Sequence, residues 1–305
     1  MGSVAFLFSG QGAQYSGMGK ALYDASPCAR EIFDGLESSF PKLTALCFQG
    51  DEEDLRQTEN TQPCLYALES AIAAELTACG IHPGFLAGFS IGEIAALAFS
   101  QAVSTAEGFA LVKARAQLMR RESEKVDAAM TATLRLTEAT VTALAAECGV
   151  YPVNFNAPGQ IVVSGESTKI EAFENRVKEQ GARTMRLKVA GAFHSPYMEQ
   201  ASKDFRKELE RVAFAPPRIP IYSNVTGARY EGNMKELLAR QISSPVYFEK
   251  IVRALIQEGV DTFIEVGPGS VLASLVKKID GTVRTYITDK PGDIERLKTE
   301  VGDAQ

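Results

Sequence analysis

The sequence predicts an α/β protein whose main sheet is largely parallel. Short apolar segments typical of buried strands alternate with segments whose apolar residues recur at helical spacing, a pattern that favours helices on both faces of one sheet. The chain has 305 residues, and one domain usually takes about 150. Within this length a stretch of different element order predicts a second, smaller unit.

The main sheet is predicted from apolar runs that end at turn residues. The first run, residues 4–8, stops at Ser9 and Gly10, which predicts a buried strand that enters a tight loop. A later helical pattern is interrupted at Gly80, ahead of the next strand. Strands are predicted at 4–8, 85–89, 219–223 and 262–266, and helices at 63–79, at 94–98 and after residue 291.

Residues 127–192 follow a different order: strand, helix, two strands, helix, strand. The elements are predicted at 128–136, 137–148, 152–155, 161–164, 168–180 and 183–189. This β-α-β-β-α-β order is that of the ferredoxin-like unit. Because the earlier pattern resumes afterwards, we expect the unit to be inserted into a large domain made of 1–126 and 193–305. The cleft between the two is the expected ligand site.

Composition excludes several functional classes. The formal net charge of −6 gives no overall electrostatic footprint for nucleic acid or an anionic membrane. The five cysteines are widely spaced without a C-x-x-C pair, so we predict free thiols and no metal site. No apolar stretch is long enough for a membrane span, and the first residues lack a signal-peptide pattern. We therefore expect a cytoplasmic protein, and a monomer, since no interface stripe is evident.

Ser90 is the predicted nucleophile. It lies in Gly88-Phe89-Ser90-Ile91-Gly92, which matches G-x-S-x-G between a predicted strand and a predicted helix. In that context the sharp turn exposes the serine hydroxyl, and the glycines relieve crowding around it. The alternative is a tight turn rich in glycine and serine that carries no chemistry.

A serine nucleophile needs a base, and the chain has only two histidines. His82 precedes Pro83 at the far end of the strand that leads to Ser90, so we interpret it as a surface residue. His194 lies in a turn that leaves the inserted unit and re-enters the large domain, where its side chain could face the cleft. We predict that His194 is the base, although it could instead cap the next helix.

Arg115 is the third unusual residue. On a helical projection of residues 105–121 it falls within the apolar arc, whereas the other charged side chains lie on the opposite side. An unpaired guanidinium in an apolar face is costly, so Arg115 needs an acidic protein partner or an anionic ligand. The pattern leaves both open, with Glu93 as the candidate partner.

The loop after the first strand offers a candidate oxyanion hole. In folds of this kind a backbone N–H from that loop pairs with the N–H of the residue after the nucleophile. Here these would come from Gln11 and Ile91. Loops of this composition are more often plain turns.

Together these segments resemble the malonyl-CoA:acyl-carrier-protein transacylases, including the acyltransferase domains of polyketide synthases, over nearly the whole chain. The matching segments are 8–14, 88–93, the Arg115 helix with Leu118 and Met119, 156–160, 193–196, 241–246 and 265–269. The resemblance implies an α/β-hydrolase-like large domain with a ferredoxin-like small one. This agrees with the element order above.

The resemblance also implies roles by position. Ser90 is the acylated nucleophile, His194 the base, Gln11 and Ile91 the oxyanion donors, and Arg115 the partner of the malonyl carboxylate. Gln241 takes the place of the family's glutamine beside the histidine, in a segment whose main-chain carbonyl orients the ring in place of an aspartate.

Two positions depart from the family's pattern, and a third position supports the branch of the family that uses malonyl units. Phe89 stands where the family has histidine, and Ala116 where it has glycine after the arginine. Phe89 bears on the exact range of acyl groups. Phe193 followed by His194 and Ser195 is the variant that the family associates with malonyl units, so Phe193 is a candidate substrate contact.

The implied reaction is a ping-pong transfer of malonyl from malonyl-CoA to the phosphopantetheine thiol of acyl carrier protein, with no metal or redox cofactor. A serine hydrolase or thioesterase and a silent carrier-protein binding module are the alternatives, and fatty-acid and polyketide synthesis both remain open. Carrier proteins are generally acidic, so docking is expected at local bases. The candidates are Arg120, Arg121, Lys125, Arg183, Arg186 and Lys188.

Overall fold

A five-stranded sheet in which all pairs are parallel forms the centre of the large domain. The computed structural model describes residues 3–187, 189 and 191–301. The strands run in the order β7-β2-β1-β8-β9, and Phe8 of β1 aligns with Gly88 of β2 and Val266 of β8, so these three strands end level at one edge. They are β1 Ser3–Phe8, β2 Phe85–Gly88, β7 Ile221–Tyr222, β8 Val260–Val266 and β9 Arg284–Tyr286.

Helices cover both faces of this sheet, and alternate residues of β1 divide between two apolar cores. Phe6 and Phe8 belong to one core, Ala5 and Leu7 to the other, as the two-residue period of a strand requires. The helices are α1 Lys20–Ala25, α2 Pro27–Glu37, α3 Leu43–Gln49, α4 Thr58–Ala78, α5 Gly92–Phe99, α6 Thr105–Ser123, α7 Glu138–Cys148, α8 Ser167–Glu179, α9 Glu199–Glu210, α10 Met234–Gln241, α11 Phe248–Gln257, α12 Val271–Ile279 and α13 Pro291–Glu300.

The second sheet is antiparallel and belongs to the smaller unit. Its strands run in the order β4-β5-β3-β6, and α7 and α8 cover it with a separate apolar core. The strands are β3 Ala128–Leu134, β4 Tyr151–Ala157, β5 Gln160–Glu166 and β6 Arg183–Arg186. The predicted α/β class is confirmed, with its α/β-hydrolase-like large part and ferredoxin-like small part. The boundaries at residues 127 and 192 stay predictions.

The differences from the predicted elements concern mainly where they begin and end. The strand predicted at 128–136 stops at Leu134, because Arg135 has a φ of 71° and leaves the extended conformation. The helix predicted at 63–79 begins at Thr58, with Pro63 inside it. Further differences include 94–98 (Gly92–Phe99), 152–155 (Tyr151–Ala157), 219–223 (Ile221–Tyr222), 262–266 (Val260–Val266), 183–189 (Arg183–Arg186, with residue 188 outside the described residues) and the unpredicted strand Arg284–Tyr286.

The turn from β2 into α5 is packed so closely that two of its positions have no room for a side chain. A Cβ on Gly88 would lie 2.1 Å from the carbonyl carbon of Gly92, and a Cβ on Gly92 would lie 2.4 Å from the carbonyl oxygens of Phe8 and Ser9. These neighbours are backbone atoms and cannot move aside cheaply. The two glycines of the G-x-S-x-G segment therefore allow the strand, turn and helix to approach one another.

We expect Gly88→Ala to lower the free energy of unfolding by at least about 2 kcal/mol, because the methyl group would overlap backbone. Gly35→Ala is the matched control. Gly35 is exposed within α2, and an added Cβ there meets nothing within 4 Å, so alanine should stabilise by about 1 kcal/mol. Urea denaturation of both variants measures the difference, and equal stabilities would contradict this account of the turn.

Candidate functional site

Ser90 lies at the tip of the turn between β2 and α5, in a strained backbone conformation. Its φ is +55°, a region that non-glycine residues seldom adopt. Asn224, just beyond β7, holds the turn from the side: its Oδ1 accepts the Ser90 N–H at 2.7 Å, and its Nδ2 donates to the Gly88 carbonyl at 2.6 Å. The serine hydroxyl is thereby fixed above the edge where the parallel strands end.

His194 contacts the Ser90 hydroxyl directly. Its Nε2 lies 2.8 Å from Ser90 Oγ, and its Nδ1 lies 2.8 Å from the main-chain carbonyl oxygen of Gln241. Because a carbonyl oxygen only accepts, Nδ1 carries the proton and Nε2 is left to accept from the hydroxyl. The ring is oriented by a backbone carbonyl, which is the arrangement that the resemblance implies for Gln241.

The imidazole of His194 is held neutral by its surroundings. It is 4% exposed, and burial, followed by the nearby positive charge of Arg115, lowers its pKa to about 4. A neutral ring is the form that can take a proton from a hydroxyl.

Arg115 is completely buried and its guanidinium also contacts the Ser90 hydroxyl. Nη1 donates to Gln62 Oε1 at 2.8 Å, while Nη2 donates to Ser90 Oγ at 2.9 Å and to Gln241 Oε1 at 2.8 Å. Within the described part of the chain Nε has no hydrogen-bond partner. Burial lowers the pKa of Arg115 to about 10, so it remains charged at neutral pH.

Glu93 does not form a direct ion pair with Arg115, which was one of the two alternatives. The carboxylate accepts from the Asn224 N–H, from the Tyr230 hydroxyl and from Gln241 Nε2. Gln241 therefore stands between the cation and the carboxylate. Among the described residues no carboxylate oxygen hydrogen-bonds Arg115, and this favours the other alternative, an anionic ligand.

One predicted oxyanion residue lies in the turn that carries the nucleophile, and the other lies in the loop that packs against this turn. Ile91 follows Ser90 and is buried. The loop with Gln11 packs against the turn, since a Cβ on Gly10 would lie 2.7 Å from Phe89 Cδ1. The Gln11 side chain donates to Thr58 Oγ1 at 3.4 Å, which leaves its backbone as the part that could serve an oxyanion.

The two phenylalanines beside the site pack into different cores. Phe193 is buried in the core that contains Phe6, so its side chain is mainly a packing group. Phe89 packs against Phe248, with ring centroids 5.6 Å apart. Whether Phe193 contacts substrate stays a prediction. As expected for a surface residue, His82 is exposed.

Sequence reasoning missed Gln62 and Asn224, which hold Arg115 and Ser90 in place. Asn224 had a usable signal: it follows a short strand, and side chains after parallel strands meet at one edge of a sheet. Gln62 had none, because a polar residue inside a long apolar helix is not distinctive until the position of Arg115 is known.

Most of the predicted docking bases already have acidic partners. Arg120 pairs with Glu59 and Glu124, Arg121 with Glu122 and Asp204, Lys125 with Glu122, and Arg186 with Glu174. None of the ion pairs within the described ranges includes Arg183, and Lys188 lies outside those ranges. In the same ranges no group of three or more His, Cys, Asp or Glu could hold a metal ion, and no helix is long and apolar enough to cross a membrane.

Comparison with known proteins identifies the family. The model of the acyl transferase domain matches residues 5–287. The chain belongs to the acyl transferase family. A malonyl CoA-acyl carrier protein transacylase of Bacillus subtilis is 39% identical over 304 residues, which cover 97% of this chain and 96% of that protein.

Solved acyl transferase structures have the same fold. The crystal structure of malonyl CoA-acyl carrier protein transacylase from Clostridium perfringens has a TM-score of 0.95 at 34% identity and covers 99% of this chain and 98% of that one. A malonyl-transacylase solved in complex with its type II polyketide synthase acyl-carrier protein has a TM-score of 0.94 at 31% identity and covers 97% and 99%.

The lowered pKa of His194 can be measured directly. Since its pKa is about 4, the ring should remain neutral as the pH falls from 8 to 5.5. With only two histidines, imidazole ¹⁵N spectra can be assigned with a His82→Ala variant, and the His194 signals should hardly move over this range. A midpoint near the ordinary value of about 6.5 would contradict the described burial and charge environment.

Proposed function

We propose that this chain transfers a malonyl group from malonyl-CoA to the phosphopantetheine thiol of acyl carrier protein. The observation that carries this proposal is the Ser90 hydroxyl, which has the neutral His194 imidazole on one side and the buried Arg115 guanidinium on the other. A nucleophile, a base and a cation within hydrogen-bond distance of one oxygen suit an acyl group that itself carries a carboxylate.

In the proposed first half-reaction, Ser90 Oγ attacks the thioester carbonyl of malonyl-CoA and His194 Nε2 takes the hydroxyl proton. The backbone N–H groups of Gln11 and Ile91 would stabilise the oxyanion. When the C–S bond breaks, His194 returns the proton to the sulfur of CoA. The second half-reaction repeats these steps in reverse, with the phosphopantetheine thiol as the nucleophile.

Arg115 would bind the carboxylate of the malonyl group. A charge-assisted, two-point contact with a buried guanidinium is strong and directional. It would place the thioester relative to Ser90 and make acyl groups without a carboxylate poor substrates. The contacts to Gln62 and Gln241 keep the guanidinium in position before the ligand arrives.

A serine hydrolase or thioesterase on the same scaffold is the first rival, and a silent carrier-protein binding module is the second. The turnover of malonyl-CoA with and without carrier protein distinguishes a hydrolase from a transferase. Transfer requires fast turnover only with the thiol acceptor, whereas a hydrolase releases free malonate at the same rate without it. A silent module would form no acyl-enzyme at all.

The proposed reaction needs malonyl-CoA and carrier protein as substrates and no metal or redox cofactor. The acidic carrier protein would dock through bases near the cleft, and of those predicted Arg183 is the one without an intramolecular ion pair among the described residues. A cytoplasmic monomer that binds neither nucleic acid nor membrane would be consistent with the net charge of −6.

Replacing the Ser90 nucleophile or the His194 base should abolish or nearly abolish transfer. Ser90→Ala should form no acyl-enzyme, and His194→Ala should lose several orders of magnitude in malonyl transfer. His82→Ala is the matched control and should keep wild-type activity, because this histidine is exposed. Steady-state assays on the three folded variants measure this. Loss of activity in His82→Ala alone would refute the assignment of the base.

Arg115→Ala should change acyl selectivity rather than activity in general. Loss of its charge-assisted hydrogen bonds should lower kcat/KM for malonyl-CoA by about 30- to 1000-fold. Acetyl-CoA, which has no carboxylate for the guanidinium, should be affected much less.

The ratio of the two kcat/KM values, measured on folded Arg115→Ala protein, is the readout. If the role of Arg115 were purely structural, its replacement would lower both activities in parallel and would also lower thermal stability. An unchanged malonyl-to-acetyl ratio would therefore exclude the carboxylate-binding role.

A further inference from the structure

A buried carboxylate lies next to the reacting groups without contacting them. Glu93 has no exposed surface, and it belongs to the first turn of α5, three residues after Ser90. Burying a carboxylate is costly unless its oxygens are hydrogen-bonded. The proposed transfer uses Ser90, His194 and Arg115 and assigns Glu93 no role.

Among the described residues, the donors to the Glu93 carboxylate all come from outside its own helix. Oε1 accepts from the backbone N–H of Asn224 at 3.2 Å and from the Tyr230 hydroxyl, while Oε2 accepts from Gln241 Nε2 at 2.5 Å. Three donors converge on one acceptor-only group, which is the arrangement that an ionised carboxylate requires. Burial raises the pKa of Glu93 to about 7, and these donors together with the charge of Arg115 oppose that rise.

The Gln241 amide has only one orientation that satisfies its neighbours. Its Nε2 faces two acceptors, Glu93 Oε2 and the Ser90 carbonyl oxygen at 2.7 Å. Its Oε1 faces the donor Arg115 Nη2 at 2.8 Å. A flipped amide would set two N–H groups against the guanidinium and an oxygen against two oxygens. Glu93 therefore helps to decide which end of Gln241 faces Arg115.

We propose that Glu93 is a positioning residue for recognition of the acyl carboxylate, acting on Arg115 through the Gln241 side chain. The inference rests on the proposed malonyl transfer. Its physical basis is the indirect contact, because the Gln241 amide lies between the Glu93 carboxylate and the buried guanidinium. The negative charge of Glu93 balances Arg115 without a direct ion pair, and the guanidinium remains available to form that ion pair with the ligand. A carboxylate in direct contact with Arg115 would compete with the substrate.

Glu93→Gln tests this role because it keeps the volume and reverses the polarity of one oxygen. If the new NH₂ faces Gln241, that amide must flip and present N–H groups to Arg115. The malonyl-to-acetyl ratio of kcat/KM should then fall about 10-fold, the effect of one lost buried hydrogen bond. General damage to the turn through Asn224 would lower both activities and leave the ratio unchanged.

Tyr230→Phe is the matched control. It removes a donor from Oε1, the oxygen that does not contact Gln241, so the ratio should remain within about twofold of wild type. The double variant Glu93→Gln with Arg115→Ala completes the cycle. If Glu93 acts through Arg115, adding Glu93→Gln to Arg115→Ala should not change the ratio further.

A wild-type malonyl-to-acetyl ratio in folded Glu93→Gln would overturn this inference, and so would additive effects in the double variant. In both cases malonyl transfer by the wild-type protein would still support the proposed function. Wild-type protein that transfers no malonyl group would overturn both. If Glu93→Gln does not fold, Glu93→Asp makes the same comparison, because it keeps the charge but withdraws it from Gln241 by one methylene. A selective loss of malonyl activity is again the expected result.

Discussion

A charged guanidinium without any exposed surface is the constraint on which the rest of the site depends. Removing Arg115 from water is costly, and the chain offsets that cost with three side-chain oxygens from three separate places: Gln62 on α4, Ser90 on the turn and Gln241 on α10. Holding these acceptors around one cation requires Gln62 of α4 and Gln241 of α10 to lie beside the turn at the carboxyl edge of the parallel sheet. The same packing brings His194 to the serine hydroxyl.

Burial gives each group of the site its chemical character. The His194 ring is neutral because it is desolvated beside a cation, and it is oriented by a carbonyl in place of a carboxylate. A carboxylate of the protein close to His194 would also lie close to Arg115, where it would compete with an anionic substrate. The negative charge of Glu93 is instead kept one amide away. Burial of this kind strengthens each directed hydrogen bond, and it restricts the access of water to an acyl-enzyme.

The parts of the site that depend on local sequence could be predicted, and those that depend on tertiary contacts could not. Ser90 follows from five adjacent letters between a strand and a helix, and Arg115 from its place on a helical projection. The bonds of Asn224 to Ser90 and Gly88 span more than 130 positions, so its place after a short strand points to the edge of the sheet but does not reveal these partners. The strand Arg284–Tyr286 was missed for a related reason: three residues paired at the sheet edge carry no apolar run.

The central claim is that the Ser90 oxygen carries an acyl group whose carboxylate Arg115 selects. Mass spectrometry of the intact protein after incubation with equal concentrations of malonyl-CoA and acetyl-CoA, without carrier protein, tests it most directly. The account predicts one malonyl adduct per chain, mapped by peptide analysis to Ser90, and much lower occupancy by acetyl. No adduct, an adduct on one of the five cysteines, or equal occupancy by the two acyl groups would contradict it.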